Sequence, residues 1–367
     1  MKHNVLRTGF IYIAIILGWV ALIVGTLYFG QGSSETHEEQ PARQGRVLRL
    51  LVWGDLFDKH FLKKFEQETG SILQISSYDT NEELIVKLKI SDGRGYDIIA
   101  PSDYAVKILQ EEELLRPLDH KRMTFLKHIN PLLLNQHYDP SNEFSIPYEW
   151  EVYGIAYDKT FFAQHHLEHT WGMLFNNPHG AFRVIVSDDA LEVVRLAAHF
   201  LFGKLNEEEL TEEQIEQVQA LLHHQHEWVE AYTRTNIDYY LIAGYSPLAF
   251  AGSGYVGRRR ELANKIGFFV PREGGLITIE NLAVPIHAEN EDLIYAFLNF
   301  IMSSESMTHH FDLMTYYPAT LNVQEPHHLS QELRSLRTMG KEEFSKLLFV
   351  KQLMPEEQMN HLWVSIK

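Results

Sequence analysis

Two carboxylates one helical turn apart, Asp189 and Glu192, open an apolar helix in the run Ser187-Asp188-Asp189-Ala190-Leu191-Glu192. This spacing serves two chemistries. With Asp189 as N-cap and Glu192 three residues on, the pair makes a capping box that satisfies orphan backbone donors. Aimed into a cleft, the same two acids take up an ammonium group, and a capping carboxylate keeps one oxygen for that purpose. Trp53 is the second candidate, at the end of the short apolar stretch Val47–Leu56, which reads as a buried strand closed by Gly54. An indole there either covers the strand end as core or forms a flat wall where an open α/β sheet presents its ligand crevice.

Other patterns carry less. Gly252-Ser-Gly254-Tyr-Val-Gly257 matches a dinucleotide-binding fingerprint between an expected strand and an expected helix. It sits mid-chain and is followed by Arg258–Arg260, so a glycine-rich helix entry is the simpler reading. His165, His166 and His169, and likewise His223, His224 and His226, have helical metal spacing. Neither group has a carboxylate partner set as in a zinc motif, and both read as solvated histidines. With no Walker loop, Gly-x-Ser-x-Gly or nucleophile-plus-base spacing, the chain is not expected to be an enzyme or to need a cofactor or metal.

The elements that must position these residues are bounded by composition. The 367 residues suffice for two domains, each with its own core, and 45% hydrophobic with 22% charged residues is ordinary for a globular chain. A net charge of −17 argues against nucleic acid and suits a cationic ligand or simple solubility alike. The absence of cysteine excludes disulfides, thiolate sites and a cysteine-linked lipid anchor. Lys2 and Arg7 precede the uncharged run Gly9–Gly30, and Glu35, Glu38 and Glu39 follow it. That run is long enough to span a bilayer, and its flanking charges put the bulk of the chain outside the cytoplasm. Residues 1–30 are therefore expected to be an uncleaved signal anchor, with a cleaved signal peptide as the alternative. Residues 31–46 read as a flexible linker.

Beyond it, strands and helices alternate. Strands are expected at Ile72–Tyr78 and Tyr96–Ala100, with helices at Asp58–Thr69, Glu82–Ile90 and Tyr104 to about Glu113. This is parallel-sheet spacing, doubly wound α/β. Pro140–Trp150 breaks the alternation and reads as a crossover. A second α/β set follows, with a helix over Asp189–Leu201, a long helix over Thr211–Tyr232 and a strand at Ser246–Phe250. Leu276–Val284 is the strand that returns to the first set. A chain that leaves one lobe, builds another and comes back makes a two-lobed clamp.

The order Leu51-Val-Trp53-Gly-Asp, Phe65-Glu-Gln-Glu-Thr-Gly70, Ser77-Tyr-Asp-Thr-Asn-Glu82, Tyr96-Asp-Ile-Ile-Ala-Pro-Ser102 and Ser145-Ile-Pro-Tyr148 resembles the bacterial periplasmic spermidine/putrescine-binding proteins. The likeness continues through Asp188-Asp189-Ala-Leu-Glu192, Pro271-Arg-Glu-Gly-Gly275, Glu280-Asn-Leu-Ala-Val-Pro285 and Tyr317-Pro318, and fades over the last 45 residues. It implies a two-lobed periplasmic-binding-protein-like fold of type II, with lobe 1 at 47–148 and 279–320 and lobe 2 at 149–278 and 321–367. It also implies a monomer that closes on a polyamine and delivers it to the permease of an ABC transporter. Carried over by position, the binding residues are Trp53, Ser102, Tyr104, Asp189, Glu192 and Glu280, with Phe250 where relatives have tryptophan. The sequence departs at Gly54 and Leu56, and at Thr278, which replaces a second tryptophan. Carboxylates and ring faces are what a dehydrated ammonium needs. The same architecture would also serve a ferric ion, given two adjacent cleft tyrosines, or a thiamine-like cation. A membrane-anchored sensor would need no change in the site.

Overall fold

The computed structural model describes residues 46–54, 56–177, 182–203 and 209–367; the expected anchor and most of the linker lie outside these. Among the described residues eleven strands form one mixed sheet: β1 (Val47–Trp53), β2 (Ile72–Tyr78), β3 (Ile98–Ile99), β4 (Ser145–Asp158), β5 (Val184–Val186), β6 (Val229–Tyr232), β7 (Leu248–Gly252), β8 (Ile266–Phe269), β9 (Leu276–Ala283), β10 (Tyr317–Pro318) and β11 (Leu348–Phe349). The path runs β2-β1-β3-β9-β4-β7-β5-β6, with β8 and β10 paired to β4 and β11 to β9. Each end is parallel: β1 pairs with β2 and β3, and β5 with β6 and β7. The middle is antiparallel, where β4 and β9 pair from Ser145↔Ala283 to Tyr153↔Leu276.

The crossover expected at Pro140–Trp150 is in large part strand. β4 runs for 14 residues, about 45 Å at the usual rise per residue, and so pairs with β9 along its first part and with β7 and β8 along its second. Pro147 cannot donate to a ladder, and the register shifts between Pro147 and Glu149. The helix expected over Thr211–Tyr232 stops at His226, and Val229–Tyr232 becomes the edge strand β6. Elsewhere local chemistry sets the ends. Asp58 caps the helix Lys59–Thr69, accepting from the His60 amide, and Gly70 closes it with φ of 66°.

Two cores fill the ends. One joins Leu48, Leu50, Phe65 and Ile98 to Phe297 and Leu298. The other joins Val184, Val194, Trp171 and Leu222 to Met359, Leu362 and Ile366. The C-terminal residues are therefore built into the molecule: β11 extends the sheet beside β9, and the helix Glu356–Ile366 packs on the helices Ala190–Phe202 and Glu212–His226.

Candidate functional site

A cleft of about 280 Å³ opens over the β4–β9 pair, lined by Trp53, Ser102 and Tyr104 from one end of the sheet and by Asp189, Glu192 and Arg234 from the other. Glu280 lines it from β9, and Glu149, Glu151 and Tyr153 from β4. Counted over the described lining residues, eight carboxylates face a single arginine: Asp79, Glu82, Asp103, Glu149, Glu151, Asp189, Glu192 and Glu280 against Arg234.

Glu280 is held from both oxygens. Trp53 Nε1 donates to Oε2 at 2.8 Å, and Ser102 Oγ donates to Oε1 at 2.8 Å. Ser102 stands at the N-cap of the helix Asp103–Glu111 without capping it through its side chain, because its hydroxyl serves Glu280. Asn81 fixes that hydroxyl by donating to it from Nδ2 at 2.9 Å. Burial pushes the Glu280 carboxyl up to about 8, against the two hydrogen bonds that favour its ionised form. The Trp53 ring leans on Tyr78, centroids 4.5 Å apart, so the indole is fixed at the strand end. The Tyr104 hydroxyl donates to Glu82 at 2.9 Å. Asp103, beneath the helix start, accepts from the Ile279 amide at 2.9 Å, and burial raises it to about 7.

At the other end the capping box is half formed. Asp189 Oδ1 accepts from the amides of Leu191 at 2.9 Å and Glu192 at 3.3 Å. The Asp189 amide goes to Ser187 Oγ at 3.1 Å, and Glu192 does not return to it. Glu192 takes the Ser187 hydroxyl instead and stays buried in the cleft. Burial and the nearby Asp189 push its carboxyl up to about 8. Asp189 Oδ2, the oxygen left over from capping, meets Arg234 at 3.5 Å, while Arg234 Nε reaches Asp188 at 2.8 Å.

Phe250 is placed otherwise than expected. It lies in the core and is not among the cleft residues. Tyr153 of β4 stacks over it, rings 5.4 Å apart at 11°, and takes the place at the cleft wall. The six remaining expected residues share the cleft. Sequence reasoning missed Glu149, Glu151, Tyr153, Arg234 and Tyr316. For the first three the signal was present: odd-numbered residues along β4 share one face. Glu149 is buried against the imidazole of His310, which lies on the helix Ser304–Met314.

The glycine motif is explained by packing. A Cβ at Gly252 would collide with the Glu151 carboxylate, and one at Gly254 with the Tyr316 ring. These glycines let cleft side chains approach the backbone, and no phosphate cradle is needed to account for them. Among the described residues no group of three or more His, Cys, Asp or Glu is arranged to hold a metal ion.

Residues 60–334 match the family described as bacterial extracellular solute-binding proteins. Among curated proteins, the chain is 28% identical over 290 residues to spermidine/putrescine-binding periplasmic protein 1 of Haemophilus influenzae, covering 78% of each chain. It is 26% identical over 371 residues to the putrescine/cadaverine-binding protein of Pseudomonas aeruginosa, covering 94% of this chain and 98% of that one. Among solved structures, the spermidine/putrescine ABC transporter substrate-binding protein PotD of Streptococcus pneumoniae superposes with a TM-score of 0.74 at 26% identity, over 88% of this chain and 98% of that one.

Proposed function

The chain belongs to the bacterial extracellular solute-binding proteins, and from that premise we propose that it captures a polyamine between two lobes and hands it to an ABC importer. The observation that carries this reading is the pair Glu280 and Glu192 in one cleft: a half-buried carboxylate on the central strand β9 and a buried one on the helix Ala190–Phe202. Among the described residues neither forms an ion pair with a basic side chain, although the charge of Arg234 attracts Glu192, and burying such groups is unfavourable unless a cation arrives. An elongated diammonium or triammonium chain supplies one charge to each acid, and the faces of Trp53 and Tyr104 suit the positive chain between them. The names of the relatives agree with that chemistry.

The residues proposed to bind are Trp53, Ser102, Tyr104, Asp189, Glu192 and Glu280, joined by Glu151 and Tyr153 in place of Phe250. The lobes are proposed to meet at β4 and β9, with 47–148 and 279–320 on one side and 149–278 and 321–367 on the other. A core at each end of the sheet and the antiparallel pair between them support this division, while a third cluster joins Leu51 and Tyr78 to Trp150, Phe268, Leu333 and Leu347 across it. A monomer tethered outside the cytoplasmic membrane by residues 9–30 completes the proposal, supported by the length and flanking charges of that run.

Titration calorimetry with spermidine and putrescine tests the reading. Micromolar or tighter binding to one of them is expected, and no heat with any polyamine would overturn it.

A further inference from the structure

Strand β4 crosses the cleft floor with Glu149, Glu151 and Tyr153 on one face. Glu149 stands opposite Glu280 and is already occupied by His310. Two residues on, about 7 Å along the strand, Glu151 stands opposite Thr278. Two further on is Tyr153, which feels the charge of Glu192. Glu280 and Glu151 thus stand on the floor, and Glu192, on the helix Ala190–Phe202, lines the same cleft near Tyr153.

Resting on the polyamine reading, we infer that Glu151 is a third anionic anchor, which takes a charged nitrogen in the interior of the ligand chain and so selects a triamine over a diamine. The position is built for a carboxylate. Gly252 and Gly254 clear the space it occupies, since a Cβ on Gly252 would strike it. The Gly254 amide donates to it at 3.2 Å, and the Tyr153 hydroxyl hydrogen-bonds to it. Glu149 repels it, and Arg258, whose guanidinium lies over the Tyr316 ring at 5.1 Å, attracts it.

Thr278 supplies the selective half. Its small side chain stands across from Glu151 in the cleft floor, where a ring would cover the methylenes of a ligand. A carboxylate facing methylenes gains nothing for its lost hydration, whereas facing a secondary ammonium it gains an ion pair. The middle of this cleft therefore asks for charge. The step of about 7 Å along the strand from the Glu280 register position to Glu151 suits nitrogens separated by a three- or four-carbon spacer.

The test compares spermidine with 1,8-diaminooctane, which has the same chain length and both terminal amines but a methylene in place of the internal nitrogen. Calorimetry on the full chain should show spermidine binding about tenfold or more tighter. In Glu151→Gln, which keeps an acceptor for the Gly254 amide, that preference should fall to within about threefold, with diaminooctane binding little changed. Equal affinity of the native protein for the two ligands would overturn the inference, and this measurement needs no variant. So would an undiminished preference in Glu151→Gln. In both of those outcomes the polyamine reading stands. If the native protein binds no polyamine at all, that reading fails first and the role of Glu151 goes with it.

Discussion

In the proposed site Glu280 is the residue on which capture would turn, because its two hydrogen bonds orient it without neutralising it. Trp53 and Ser102 each take one lone pair, and a carboxylate has others to spare. Glu280→Gln keeps the shape and Trp53's acceptor, and Ser102 Oγ can turn to accept. The loss should then be one of charge: spermidine affinity falling about a hundredfold in calorimetry, with the melting temperature of the ligand-free protein unchanged or raised. The acids also fix a pH dependence. Glu280 and Glu192 sit near 8 when the cleft is empty, against an ordinary 4.5. The folded chain thus holds more protons than the unfolded one between those values, so stability of the ligand-free protein falls as pH rises from about 5 to about 8. A polycation favours the ionised acids, so the increase in melting temperature caused by spermidine should grow over the same interval, with protons released on binding. A ligand-induced shift that is flat with pH would mean the acids are already ionised in the empty cleft. At this scale the sequence was legible where residues sit at strand ends and helix starts, as Trp53, Ser102 and Asp189 do. It was not legible at Phe250, because the motif around it says nothing of the Tyr153 ring that covers it.

At the level of the element, the helix Ala190–Phe202 and the strand β4 show why the rest was hidden. The spacing of Asp189 and Glu192 predicts a capping box, and the structure divides the labour: one acid caps, the other turns into the cleft with the Ser187 hydroxyl. Cap and charge can therefore be separated by substitution. Asp189→Ser retains a capping oxygen and should cost little stability, whereas Asp189→Ala should cost about 1 kcal/mol of unfolding free energy. Both remove the same charge from the cleft mouth and release Arg234 from Oδ2, so both should weaken spermidine to a similar degree. Denaturant melts and calorimetry on the two variants check this, and a Ser variant that binds as well as the native chain would reduce Asp189 to a cap alone. The first part of β4 was read as a crossover because Pro140 precedes it and Pro147 lies within it. Every residue from Ser145 to Asp158 is buried or half-buried, so the strand as a whole lacks a solvent face that would mark it. The short alternation Glu149-Trp150-Glu151-Val152 was passed over with the crossover reading, and with it both acids.

For the whole molecule, the two-lobed plan was legible from strand–helix alternation that stops, restarts and returns. What was not legible is that a single sheet runs through both halves, since pairing between residues as distant as Ser145 and Ala283 leaves no local trace. That continuity constrains how the clamp works. With β4 and β9 shared, closure has to be absorbed by bending or twisting the two crossing strands, and a ligand can drive it only as far as it binds the closed form better than the open one. Contacts on one wall alone bring no such difference. Trp53, Ser102 and Glu280 on one side and Asp189 and Glu192 on the other supply it only when one ligand spans them. Small-angle scattering should therefore show the radius of gyration of the native protein falling when it is saturated with spermidine. Glu192→Gln keeps the first wall and should retain weak binding there, yet hold the ligand-free radius even at ligand concentrations that fill the remaining contacts. Full compaction of that variant would mean the lobes close without the second wall. The energy for closure would then have to come from Trp53 and Glu280 alone, and the carboxylates on the far side would serve selection only.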